Sequence, residues 1–363
     1  MTSPCPPSAL DRTAMSATFA EAPLAAAAIP RSLRGLVTPA ALIAVLAALT
    51  LLATQGLSQT AQLTVTEMLI RVTVVVGMGV FIGNSGIMSF GHIGFMCIGA
   101  FAAAWATTEP MVKAITLPGL PEWLGAHQYG FALATAGAAL LSALVALPLG
   151  IALGRLAGIA ASIATFAFLA IVNSVYANWD SVTGGTGSLI NIPTVVGPWT
   201  ALAFACVAIA VAFAFKRSRT GLMLRATRED EVAAGACAIP TSRVRLMAFV
   251  LSAALVGMGG ALHAQFLGVL SVDAFYLGLS FVTLAMLVVG GIGSLTGAVV
   301  GVLAVTVLVE LLRAGEAGLA LGSLRLALPP GSQEIGLGIF LALVLVFRPT
   351  GLVGTREWLA PRA

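Results

Sequence analysis

The sequence predicts an all-α fold, a polytopic membrane helix bundle, and three observations lead there. The 363 residues are 59% hydrophobic and only 9% charged, with a mean hydropathy of +1.03, which leaves too little polar surface to coat a soluble globule of this length. The apolar residues gather into ten stretches, most close to the ~20 residues that a spanning helix needs. Finally, 40 glycines stand against 5 Trp and 3 Tyr, a composition suited to helices packed through small residues rather than to a barrel with aromatic girdles. A net charge of +4 and a pI near 9.2 do not point to nucleic acid, because the basic residues sit at the ends of apolar stretches, where they set topology.

In chain order, residues 1–35 are Pro- and Ala-rich and end in Arg31 and Arg34. They read as a disordered cytoplasmic tail rather than a cleaved signal peptide, since the apolar run that follows exceeds a typical signal core. About ten transmembrane helices follow, at 36–54, 66–83, 93–108, 131–153, 156–176, 199–215, 244–268, 276–292, 296–312 and 334–347, with eight as the alternative. They form a single transmembrane domain over 36–354, followed by a cytoplasmic tail at 355–363. With both termini in the cytoplasm, 14 of the 18 Lys and Arg residues fall inside and 4 outside, the bias expected of the correct orientation.

Two loops on the outer side are polar. Residues 109–130 carry Pro110, Pro118, Pro121 and Trp123; residues 177–198 carry Asp180, Thr183, Gly184, Gly185, Thr186 and Gly187. The second has no Lys after its glycines, so it reads as a turn-rich connection, with Asp180 and Thr183–Thr186 as candidate external contacts. Two glycine-rich breaks interrupt the spans, at 83–95 (Asn84, Ser85, Ser89, His92) and at 290–297 (Gly290, Gly291). Unwound backbone at membrane depth exposes N–H and C=O groups that mark transport pathways, which makes these six residues candidates for lining one; the alternative is tight helix packing. His92 is more simply a hydrogen-bonded structural group than a proton relay.

Much chemistry is missing. The only lysines, Lys113 and Lys216, follow Val112 and Phe215, so no Gly-Lys phosphate loop exists and any ATP hydrolysis must come from another chain. Glu67, Arg71, Asp180, Asp273 and Glu310 all fall near predicted span ends, which weakens an ion-coupled carrier. The four cysteines, Cys5, Cys97, Cys206 and Cys237, have unrelated spacings and predict no metal site. No Gly-x-Ser-x-Gly elbow or His-Glu-x-x-His motif occurs, so the chain reads as a non-enzyme without a cofactor of its own.

Residues 216–245 are the one long charged stretch between apolar segments, with seven of the basic residues. Thr227 as N-cap, with Asp230 three residues later, predicts a short helix from about Arg228 to Cys237 ended by Ile239–Pro240. Glu229, Asp230 and Glu231 fall in its first turn, where the helix dipole favours them. Val232, Ala233, Ala236 and Cys237 form a smooth apolar stripe on one side, next to Ala234 and Gly235. A solvated loop is the bland reading; a docking element for a cytosolic partner fits the stripe better.

Four motifs carry a resemblance. Ser89-Phe-Gly-His92 through Gly99-Ala100-Phe101, the Asn178 to Gly187 loop, Ser218 to Ala234, and Phe347-Arg348-Pro349-x-Gly351-Leu352 are similar to segments of the permease subunits of branched-chain amino acid ABC importers, in particular the LivM-like subunits. The resemblance implies a heteromeric importer in a bacterial inner membrane, with a second permease, two cytosolic ATP-binding subunits carrying Mg-ATP, and an external solute-binding protein. It also implies that Arg225, Arg228, Glu229, Asp230, Glu231, Ala233, Ala234 and Gly235 couple the permease to the ATPase. Two departures stand out: Ala238 replaces the family's common Gly, and Asn84–Met88 differ from its usual approach to the first break. Branched-chain amino acids, urea or amides, and aromatic acids all stay open as solutes. An ion-coupled secondary transporter, and a membrane scaffold that recruits a cytosolic protein, are the alternative functions.

Overall fold

A computed structural model describes residues 37–56, 58–156, 158–317, 319–321, 324–326, 329 and 331–354; the predicted tails at 1–35 and 355–363 lie outside them. The elements in order are α1 (Val37–Gly56), α2 (Gln59–Ser85), α3 (His92–Thr107), α4 (Pro110–Thr116), α5 (Glu122–Gly125), α6 (Phe131–Leu153), α7 (Gly158–Ala177), α8 (Asp180–Thr183), α9 (Pro198–Arg217), α10 (Arg219–Glu229), α11 (Glu231–Ala236) and α12 (Thr241–Leu267). A 3₁₀ turn (Asp273–Phe275), α13 (Leu277–Gly290), α14 (Leu295–Ala317), a short antiparallel hairpin of β1 (Leu319–Leu321) and β2 (Leu324–Leu326), and α15 (Ser332–Phe347) complete it.

Among the described residues, eight helices are long and apolar enough to cross a membrane, and two apolar helices, His92–Thr107 and Ile335–Phe347, are shorter. Together they match the ten predicted stretches. At 16 residues α3 spans about 24 Å, less than the ~30 Å hydrocarbon thickness. It is almost wholly buried, so it has no lipid face that needs to match the bilayer.

Two helices form the centre. In α2 and α12, 78% and 67% of the apolar window is buried, against 28% or less in α1, α6 and α7, which therefore form the rim. α12 packs against α2, α3 and α6 at once. Its Gly257, Gly259 and Gly260 lie against Ser142 of α6, Val74 of α2 and the Met96 carbonyl of α3, so the chemistry of close approach is written in one short glycine run. The rim helices leave Leu52, Leu140, Ile151, Ile159 and Ile163 exposed, as lipid-facing surfaces do.

Helix starts differ from the prediction where it bears on charge. α2 begins at Gln59 rather than 66, because Ser58 turns the chain and a polar first turn can still be helical. Glu67 and Arg71 thus lie about 12 and 18 Å from the helix start, and pair with each other at 2.5 Å. Glu310 and Arg313 of α14 lie beside them around one small cavity. At the same end, the 109–130 loop is built on Lys113. Its buried ammonium donates to the carbonyls of Leu124 and His127, at 2.9 and 2.8 Å, while burial pushes its pKa down.

Candidate functional site: the charged loop and the two helix breaks

The charged loop folds into two helices, not one. Ser218 caps α10 by accepting from the Gly221 amide at 3.1 Å, and the helix formers Leu222–Ala226 carry it on through Thr227. The predicted cap at Thr227 is therefore corrected: that residue is inside α10, buried, with its hydroxyl donating back to the Leu224 carbonyl. Asp230 is the N-cap of α11, its carboxylate accepting from the amides of Val232 and Ala233 at 2.8 and 3.0 Å. Glu229 closes α10, leaving Glu231 alone in the first turn of α11.

α11 ends before Pro240. The Ala238 amide donates to Gly235 and the Ile239 amide to Ala234, at 3.0 and 3.1 Å, the paired bonds of a Schellman stop. Ala238 supplies the left-handed residue, at φ 59°. Val232, Ala233, Gly235, Ala236 and Cys237 are exposed while Ala234 is buried. The predicted stripe thus faces outward, and Ala234 does not share its face.

Behind the stripe, the loop is fastened to the bundle. Arg228 donates to the Gly83 carbonyl at 2.8 Å, one of the last α2 carbonyls without an intrahelical partner. Glu231 pairs with Arg245 of α12 at 2.8 Å, and Arg225 donates to the Lys216 carbonyl at 2.9 Å. Lys216, at the end of α9, donates to the Gly293 carbonyl in the second break at 3.0 Å. Gly83, Arg245, Lys216 and Gly293 thus join the site through the fold, and separations such as 145 residues for Arg228 and Gly83 leave no local signal in the sequence.

The first break is shorter than predicted. Gly86, at φ 73°, ends α2, so Asn84 and Ser85 are helical; only 86–91 are unwound. Asn84 donates to Val80, and Ser85 to Phe81, within their own helix. His92 opens α3, fully buried, 2.8 Å from both Ser89 and Ser252. Ser252 already donates to the Gly77 carbonyl, so it accepts from Nε2–H, and Ser89 donates to Nδ1. Both ring nitrogens are therefore used, Nδ1 on the first break and Nε2 in joining α3 to α12.

The end of α2, just before the first break, faces the second break. A Cβ on Gly83 would reach within 2.5 Å of the Ile292 carbonyl, and a cavity of about 30 Å³ lies between Asn84, Lys216 and Gly293–Leu295. Gly290 and Gly291 are covered instead by the C-terminal motif. The Leu352 and Val353 amides donate to the Val289 and Gly290 carbonyls at 2.8 and 3.1 Å.

At the opposite end, Thr183 is buried and its hydroxyl lies within hydrogen-bonding distance of the Tyr176 and Trp179 carbonyls and the Gly185 amide. Gly184 and Gly185 have positive φ. Asp180 and Thr186 are exposed. The loop then pairs Leu189 with Leu270, which fixes it to the end of α12.

The sequence that builds this arrangement has counterparts in known proteins. Residues 60–347 match the family described as branched-chain amino acid transport system / permease component. The chain is 26% identical over 324 residues to the high-affinity branched-chain amino acid transport system permease protein LivM of Salmonella typhimurium, covering 79% of this chain and 68% of that one. For LivM of Escherichia coli the figures are 26% over 313 residues, with 76% and 66% covered, so the chain spans about two thirds of these relatives. The permease protein LivH of Escherichia coli is 33% identical over 150 residues, 41% of this chain and 44% of that one. No solved structure matches. With a family match that runs from α2 through α15 and includes both breaks and the loop between them, the chain belongs to the permease components of branched-chain amino acid transport systems.

Proposed function

We propose that the chain is one permease subunit of an ATP-driven importer in a bacterial inner membrane. It pairs with a second permease, receives its solute from an external binding protein, and is driven by two cytosolic subunits that hold Mg-ATP. The solute is a branched-chain amino acid or a similar small polar molecule. The similarity to both LivM and LivH supports the pairing, and the bias of basic residues supports a cytoplasmic loop.

One observation carries the reading: the loop presents an exposed small apolar stripe to its surroundings while Arg228, Glu231 and Lys216 fasten it, or the helix leading into it, to the bundle. A partner that grips Val232, Ala233 and Ala236 and moves on binding ATP pulls through Arg228 on the end of α2 and through Glu231 on α12. Lys216 ties the adjoining end of α9 to the second break. Rigid helices with two packings convert such a pull into a change of access.

The test is capture of the ATPase subunits by the membrane-inserted chain. Ala233→Trp is expected to lower capture at least ~10-fold and abolish uptake with insertion unchanged, since a hot-spot contact is worth about 2 kcal/mol. Ala234→Trp acts differently, by levering α11 off the bundle. Full capture and uptake in the Ala233 variant would sink the docking role.

A further inference from the structure

Between the charged loop and the first break lies a cavity of about 450 Å³, within the size range of small-molecule pockets. Its walls include Ser85, Met88, Gly158, Arg228, Glu231 and Arg245. Two guanidinium groups stand there against one carboxylate. The Arg245 side chain is 8% exposed and holds Glu231 through Nη2, while its Nε, on that same edge, is buried without a hydrogen-bond partner. Arg228 spends one N–H on Gly83 and lays its aliphatic stem on Gly86. Gly158 starts the 20-residue helix α7, whose first amides have no acceptor within the helix and whose dipole presents its positive end.

Two guanidinium groups and a helix N-terminus meet in one space large enough for an amino acid. Each favours a compact anion, and a planar carboxylate matches the guanidinium fork. We propose that this cavity binds a small carboxylate of amino-acid size from the loop side, held by Arg245 and Arg228.

Glu231, half-exposed at the rim, is placed to receive an ammonium group on the same molecule. Arg228 and Glu231 belong to the loop, whereas Arg245 and Ser85–Met88 belong to the bundle, so an occupant bridges the two and holds the loop where it is. Solute accumulated on that side then slows the coupling movement. That effect on transport rests on the coupling reading above; the binding does not.

The experiment measures binding of leucine, 4-methylpentanoate, leucinamide and inorganic phosphate to the full chain in lipid nanodiscs, without partners, together with amide exchange over 219–239. Leucine and 4-methylpentanoate are expected to bind and to slow exchange in the loop, with leucinamide at least about ten-fold weaker. The double variant Glu231→Gln/Arg245→Gln, which leaves no unpaired carboxylate, loses the binding, and Arg245→Lys weakens it. Equal binding of leucinamide, unchanged binding in the double variant, phosphate bound in preference to both carboxylates, or no millimolar binding would each overturn the proposal. Leucine binding alongside intact ATPase capture by the Ala233 variant would keep this site and discard the coupling reading; the reverse pair of results would do the opposite.

Discussion

Ala238 holds a left-handed conformation that costs a residue with a Cβ about 1 kcal/mol, at the position where glycine ordinarily stops a helix. Ala238→Gly is therefore expected to stabilise the end of α11 by up to ~1 kcal/mol, partly offset by glycine's freedom in the unfolded chain. Slower amide exchange at Cys237–Ile239 would show it; faster exchange would contradict the Schellman geometry. At His92 the sign is reversed. His92→Ala strands the Ser89 hydroxyl and takes from Ser252 the N–H that it accepts, in a site lined by Phe81, Phe95 and Phe249, and leaves a cavity as well. A loss of about 2–4 kcal/mol follows, read as a lower unfolding midpoint in detergent. If the midpoint is unchanged, the ring does not join α3 to α12.

At the scale of elements, α10 and α11 act as a lever only if Arg228 connects them to α2. Arg228→Leu keeps the packing on Gly86 but drops the bond to Gly83. Uptake is expected to fall at least ~10-fold while ATPase capture persists, and exchange at 86–91 to quicken; normal uptake would rule out this linkage. Helices were the most legible part of the sequence, because span length and apolarity are local properties. The loop was legible as a helical segment with a small apolar stripe but not in its internal form. Ser218 and Asp230 both cap, and the sequence does not rank them against Thr227 until the run from Arg219 is known to be helical. The tertiary bonds of Arg228, Lys216 and Arg245 were illegible, since each joins a charge to a distant carbonyl or carboxylate by topology alone.

For the whole molecule, a buried pair of helices, α2 and α12, is ringed by apolar rim helices, with the charged loop at one end and the Lys113 loop at the other. Cysteines give a direct check of that layout. With Cys5 and Cys206 replaced by serine, a membrane-impermeant maleimide is expected to label exposed Cys237 only from the loop side, to leave buried Cys97 untouched, and to be blocked when ATPase subunits are bound. Labelling from the opposite face would invert the topology. The C-terminal motif has a further consequence, for biosynthesis. The carbonyls of Val289 and Gly290 receive the amides of Leu352 and Val353, which are translated only after α14 and α15. The second break therefore waits, half-finished, while two more helices insert. Ribosome-bound chains that stop at Phe347 are expected to leave it open, so the halves of this permease mature at different times.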